Sequence, residues 1–168
     1  MILTEKQKRR LNKINLKGKG GKDSLLAFAM YHNRKSARFF DAICKDGEKF
    51  EYKKQESSQF LDPYKFSQMT AKDKKIKIIF FMHKDGVVEE VYLTTYKTLI
   101  ETMGYTDNDL KAIARLYKRD CFKNRPNTQI KAELKYEEIK TFQKIYWQNF
   151  KTCYIKFTFK TTEDIWMT

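Results

Sequence analysis

Three residues in the first part of the chain have the types and spacing for phosphodiester chemistry: Asp41, Glu51 and Lys53. They flank the turn Lys45-Asp46-Gly47, in the run from Arg38 to Lys54. A loop of these residues with Gly47 left-handed is a common turn-plus-bulge hairpin. It sets Cys44 opposite Glu48, and so Asp41 opposite Glu51. Side chains alternate along a strand, so Asp41, Glu51 and Lys53 would share one face. Phe40, Ala42, Phe50 and Tyr52 would fill the other. A shorter loop would slip the register by one and turn Asp41 away. Two carboxylates this close repel each other unless a divalent cation, Mg²⁺ or Mn²⁺, lies between them. Such an ion polarises a phosphodiester and activates water. The lysine would hold that water or stabilise the charge that develops on the phosphate.

The elements that must position this trio follow from periodicity and turn residues. A helix capped by Asp23 or Ser24 is predicted to run to about Asn33, on the spacing of Leu25, Leu26, Phe28, Ala29 and His32. Two hairpins follow, 37–44 with 48–55 and 76–83 with 87–94, each around Asp-Gly. Between them, 57–74 reads as helix or loop around Pro63. Helices are expected at 96–103, before Gly104, and at 107–121. A strand at 128–136, a helix at 136–149 and a closing strand at 150–160 complete the chain. This order predicts an α/β or α+β single domain with a mixed, largely antiparallel central sheet flanked by helices. A basic arm, 1–22, would precede a domain of 23–168, with a catalytic half at 23–104 and a basic, DNA-contacting half at 105–168.

An acid on one strand, then an acid-x-lysine on the next, on a hairpin after a helix, resembles the PD-(D/E)XK nuclease superfamily, the fold of many restriction endonucleases. The resemblance covers roughly residues 22–95. It implies a restriction-endonuclease-like fold, Mg²⁺-dependent hydrolysis of DNA, Asp41, Glu51 and Lys53 as catalytic residues, and Asp41 and Glu51 as metal ligands. Phe40 stands where the family pattern has proline, and no glutamate lies between residues 6 and 47, where members often carry one on the first helix. The competing reading of the segment is a solvated hairpin with alternating charges.

The charge balance points to a polyanion independently of that motif. Thirty-five Lys and Arg face 21 Asp and Glu, a net +14, which repels itself unless a polyanionic partner neutralises it. An AT-rich codon bias explains the number of lysines better than their clustering. The candidate nucleic-acid contacts are Lys8, Arg9, Arg10, Lys19 and Lys22 in the arm, Arg34 and Arg38 before the hairpin, and Arg115, Lys118, Arg119 and Arg125 further on. Lys111, Arg115, Lys118 and Arg119 share a helix side opposite Leu110, Ile113 and Tyr117. Tyr117, Phe122, Tyr146, Trp147 and Tyr154 are either base-stacking partners or core. The glycines at 18, 20 and 21 form a loop without the spacing of a phosphate-binding P-loop. Cys44, Cys121 and Cys153 have neither zinc nor disulfide spacing, and His32 and His83 read as structural. The longest apolar run, 78–82, is strand-sized, and no signal-like segment follows the basic N-terminus, so a cytoplasmic protein with no membrane partner is expected. The expected partner is nucleic acid, foremost double-stranded DNA, with a homodimer favoured if both strands are cut. The alternatives are a non-catalytic nucleic-acid-binding protein, phage- or plasmid-encoded, and an inhibitor of a nucleic-acid enzyme.

Overall fold

The computed structural model describes residues 1–18, 21–119 and 131–147. Its organising element is β5 (Lys77–Lys84), whose side chains are apolar on both faces. Ile79 and Phe81 enter one core, and Ile78, Phe80 and Met82 the other. Such a strand is stable only with layers packed on both sides. β6 (Val87–Thr95) pairs with it antiparallel through the turn Asp85-Gly86, where both residues have positive φ, 50° and 88°. That is the backbone a two-residue hairpin loop requires.

On the other side of β5 lies β3 (Lys49–Gln55), and this pairing is parallel, Phe50 with Lys77 through Gln55 with Met82. Parallel neighbours need a crossover. Here it carries β4 (Gln59–Leu61), a helix at Pro63–Ser67 and a 3-10 turn at Asp73–Lys75. β1 (Asn33–Arg34) and β2 (Ala42–Ile43) complete that edge, and β8 (Gln143–Trp147) pairs with β6 at the other. The order is β1-β2-β3-β5-β6-β8, with a small second sheet of β4 and β7 (Ala132–Leu134). A mixed, largely antiparallel sheet flanked by helices is thus what the chain forms. Among the described residues no helix is long and apolar enough to cross a membrane.

Two helices cover the first face, α1 (Glu5–Leu11) and α2 (Lys22–Met30). The basic N-terminal segment packs on this face, with Leu3, Leu11 and Leu16 buried in its core. Burying each leucine contributes about 1.5–3 kcal/mol, enough to hold the segment down. Leu16 N–H donates to Gly86 O at 2.7 Å, tying it to the second hairpin. The α2 boundaries differ from expectation. Gly21, not Asp23 or Ser24, precedes the helix, and Tyr31 ends it in the left-handed conformation, φ 61°. The second face carries α3 (Pro63–Ser67), α4 (Tyr96–Thr102), α5 (Asp107–Tyr117) and α6 (Tyr136–Ile139). The helix expected over 136–149 stops after one turn and gives way to β8. Ile139, Phe142, Ile145 and Tyr146 have helical spacing, but Ile139 and Phe142 pack on the second face while Ile145 and Tyr146, adjacent at an irregularity in the β6–β8 pairing, pack on the first. The strand expected at 150–160 lies outside the described residues.

Candidate active site

The first hairpin forms with the register its turn dictates. Cys44 N–H donates to Glu48 O at 2.9 Å, Gly47 N–H to Cys44 O at 3.0 Å, and Gly47 has φ 82°. Ala42 pairs with Phe50, so Asp41 falls opposite Glu51. The expected strand at 37–44 is shorter. Ala37 N–H donates to Phe40 O at 2.9 Å, a turn that carries the chain off the sheet. That turn corrects the position of Phe40. It packs with the core of the second face, while Ala42, Phe50 and Tyr52 share the first.

Where the chain leaves the sheet, the Asp41 side chain takes the place of a strand. Tyr52 N–H donates to Asp41 Oδ2 at 2.9 Å. A carboxylate thereby sits at the β3 edge, between the two faces. From the first face Asp23, on α2, approaches, and Arg34 joins the pair. Its Nη2 lies 3.5 Å from Asp23 Oδ2, and its Nη1 is 3.7 Å from Asp41 Oδ1. Lys54 also ion-pairs with Asp23. From the second face comes Glu51, only 4% exposed. Its Oε1 receives Lys53 Nζ at 2.7 Å and Lys65 Nζ, from α3, at 2.9 Å.

The two carboxyls have opposite electrostatics. Burial pushes the Asp41 pKa above the usual carboxylate range, and the charges of Glu51 and Asp23 push it further. The Tyr52 N–H and Lys53 offset only part of this. Burial works in the same direction on Glu51, but Lys53 and Lys65 override it and hold that pKa down. Beside them Tyr96 buries its hydroxyl, and burial, the Glu51 charge and the hydrogen bond to it push its pKa up. Asp41 is therefore the carboxyl held above its usual range, even with Arg34 beside it, and Glu51 the one held below.

Among the described residues no three His, Cys, Asp or Glu side chains are grouped to hold a metal ion. Mg²⁺ needs less, since it is commonly held by one or two carboxylates with waters and substrate phosphates. Asp41 with Glu51 suits that chemistry, because a cation there would offset the repulsion that raises Asp41. Asp23, Lys65 and Tyr96 are the site residues the sequence did not flag. Asp23 reads as a helix cap, although its place on the helix before the hairpin could have marked it. Lys65 belongs to a crossover whose conformation the sequence left open.

The basic residues separate into occupied and open groups. Lys8 is ion-paired with Glu5 at 2.7 Å, Lys22 is half-buried at the start of α2, and Arg9 is exposed. Arg10 stacks on two rings, and Arg38 lies over Phe39 at 5.2 Å. Arg115, Lys118 and Arg119 are exposed along the end of α5, opposite buried Leu110. Tyr117 stacks on Tyr64, centroids 4.1 Å apart, which makes it packing rather than an open platform. Tyr146 is likewise buried, bonded to Asn12. Lys19, Arg125, Phe122 and Tyr154 lie outside the described residues. His32 stacks on Phe50 at 4.2 Å, with its Nδ1 2.7 Å from Tyr52 Oη, in a packing role. No protein-family model matches the chain, and no curated protein matches it either.

Proposed function

We propose that the chain is a metal-dependent endonuclease that hydrolyses phosphodiester bonds in DNA, as its resemblance to the PD-(D/E)XK superfamily implies. One observation carries this reading: Asp41, raised by burial and like charge, stands opposite Glu51, which is itself bound to Lys53. A protein gains no stability from crowding acids at a sheet edge, and such groups cluster where charge is used. Asp41 and Glu51 would hold Mg²⁺ or Mn²⁺. The bound ion would supply neutralising charge at the phosphate and lower the pKa of its water. Lys53, half-buried on Glu51 Oε1, would exchange that oxygen for a phosphate oxygen and stabilise the charge developing there. Lys65 reaches the same oxygen and would keep Glu51 ionised during that exchange. The test is a plasmid-nicking assay with Mg²⁺ and with chelator. Nicks in Mg²⁺ only, lost in Asp41→Ala and Lys53→Ala, are expected, with metal binding retained in the lysine variant. One centre cuts one strand, so concerted double-strand breaks would require a two-fold dimer on DNA, measurable by light scattering.

A second reading has its own observation. Glu51 already carries two lysines, so the cluster is close to neutral without a metal. On that reading the chain is a basic nucleic-acid-binding protein that does not cut. Steeply salt-dependent binding with no metal-dependent nicking would select it.

A further inference from the structure

We propose that the outer surface of α1 and α2 is a stacking platform for unpaired nucleotides, which makes single-stranded nucleic acid a ligand of this chain. This rests on the reading that the chain binds nucleic acid, and is independent of whether it cuts.

α2 places Leu25, Phe28 and Tyr31 one turn apart on its outer side, and all three stay exposed, Phe28 at 63% and Tyr31 at 47%. Arg10 of α1 lies over both rings, its guanidinium carbon 4.1 Å from the Phe28 centroid and 4.3 Å from that of Tyr31. It also donates to Phe28 O at 3.0 Å, which fixes it there. Lys6 lies over Tyr31 at 5.7 Å. Among the described residues neither Lys6 nor Arg10 has an acidic partner. Tyr31 holds its place at φ 61°, where glycine would be unstrained. The molecule thus keeps an aromatic residue in a backbone position that disfavours one, and keeps its ring in solvent.

The chemistry of this patch selects its occupant. Rings flanked by unpaired cations suit a ligand with flat aromatic faces and a polyanionic backbone. Nucleic acid has both, and every base has a face to stack. In a duplex those faces are covered by neighbouring base pairs, so only unpaired bases can use the platform. An acidic protein helix would satisfy the cations but not the rings.

The test is fluorescence anisotropy in chelator, with a labelled oligothymidine of about 20 nucleotides and a duplex of equal length, long enough for several stacked bases. Phe28→Ala and Tyr31→Ala are each expected to weaken single-strand binding about tenfold and to leave duplex binding within about twofold. Phe28→Trp should retain it. Tyr31→Gly relaxes the left-handed residue, so it should melt higher than wild type yet still lose the single strand, separating lost binding from lost fold. Undiminished single-strand binding in both alanine variants overturns the inference, as does an equal loss on the duplex. Wild-type binding to duplex alone overturns it and leaves the nucleic-acid reading intact; binding to neither overturns both. Anionic vesicles retained through Phe28, or a dimer that Phe28→Ala dissolves, would give the patch to a membrane or to a second copy and overturn it too.

Discussion

The two Asp-Gly hairpins share a turn dipeptide and almost nothing else. The second, β5 with β6, is long, turns on two left-handed residues and supplies both cores. Its Gly86 is buried against Asn15 and Lys17. The first, β2 with β3, pairs over two residues of β2, and its Gly47 stands in open space. Where the second hairpin fills both faces with Ile, Phe and Val, the first buries Glu51 and half-buries Asp41 and Lys53. Buried charge is at best neutral for stability against an apolar replacement. The contrast separates a hairpin that holds the fold from one whose arrangement suits chemistry.

The largest effect should come from the first hairpin's acids. Asp41→Ala or Glu51→Ala is expected to lower metal-dependent nicking by 10²-fold or more, the order of about 3–4 kcal/mol of transition-state stabilisation. Asp41→Asn sharpens the point. Its carboxyl is raised in the fold, so ionising it opposes folding; stability from this group is present at acid pH and is lost as pH rises through the folded pKa. At neutral pH the asparagine variant should therefore melt at or above wild type while nicking is lost. An inactive variant that also melts lower would make Asp41 a structural residue.

Gly86→Ala should be the most damaging glycine change. A Cβ there would overlap Asn15 Oδ1 and lie 2.7 Å from Lys17 N, and φ is 88° besides. The backbone contact has no easy relaxation, so a loss of about 2–3 kcal/mol by denaturant unfolding is expected. A loss below about 1 kcal/mol would mean that the N-terminal segment is not packed on this turn.

How much of this was legible in the sequence follows the same division. Where local rules agree with tertiary packing, as in the Asp46-Gly47 turn, the register of Asp41 opposite Glu51 could be read from turn type alone. The second hairpin and the helix before Gly104 were legible for the same reason. What required the fold is long-range. The parallel pairing of β3 with β5 depends on the crossover, and so does Lys65. Leu3 and Leu11 give the basic N-terminal segment an apolar stripe that the sequence shows, whereas the burial of Leu16 depends on its bond to the second hairpin. In β8 the adjacent Ile145 and Tyr146 both enter one core through an irregular pairing, which breaks the alternation that marks a strand. Phe40 departs from its expected face because the strand ends before it, which alternation cannot announce.

A smaller effect tests the packing under the first hairpin. Burial pushes the His32 pKa down to about 4, with Glu48 opposing weakly. The unfolded chain takes up the proton near 6.5, whereas the folded one resists until about 4. Stability from neutral His32 is thus whole above 6.5 and falls as pH drops towards 4, by about 2 kcal/mol after allowing for partial exposure. His32→Phe should flatten that part of the pH profile, measured by urea unfolding. An unchanged slope would place the ring in solvent, off Phe50.

Gly47→Ala should have the smallest effect on stability and is the sharpest test of the register. Nothing lies within 4 Å of a Cβ built there, so the only cost is the left-handed backbone at φ 82°, about 1 kcal/mol. The loop can keep its length, so Asp41 should stay opposite Glu51 and nicking should fall little. Gly47→Asn, which tolerates this conformation, should cost less still. Deleting Ile43 leaves the turn and the acids intact but moves Asp41 one place along the strand, opposite Phe50 rather than Glu51, which turns its side chain to the opposite face. On the proposed function that deletion should abolish nicking even if the protein still folds. Nicking that survived it would mean that the chemistry does not depend on Asp41 facing Glu51.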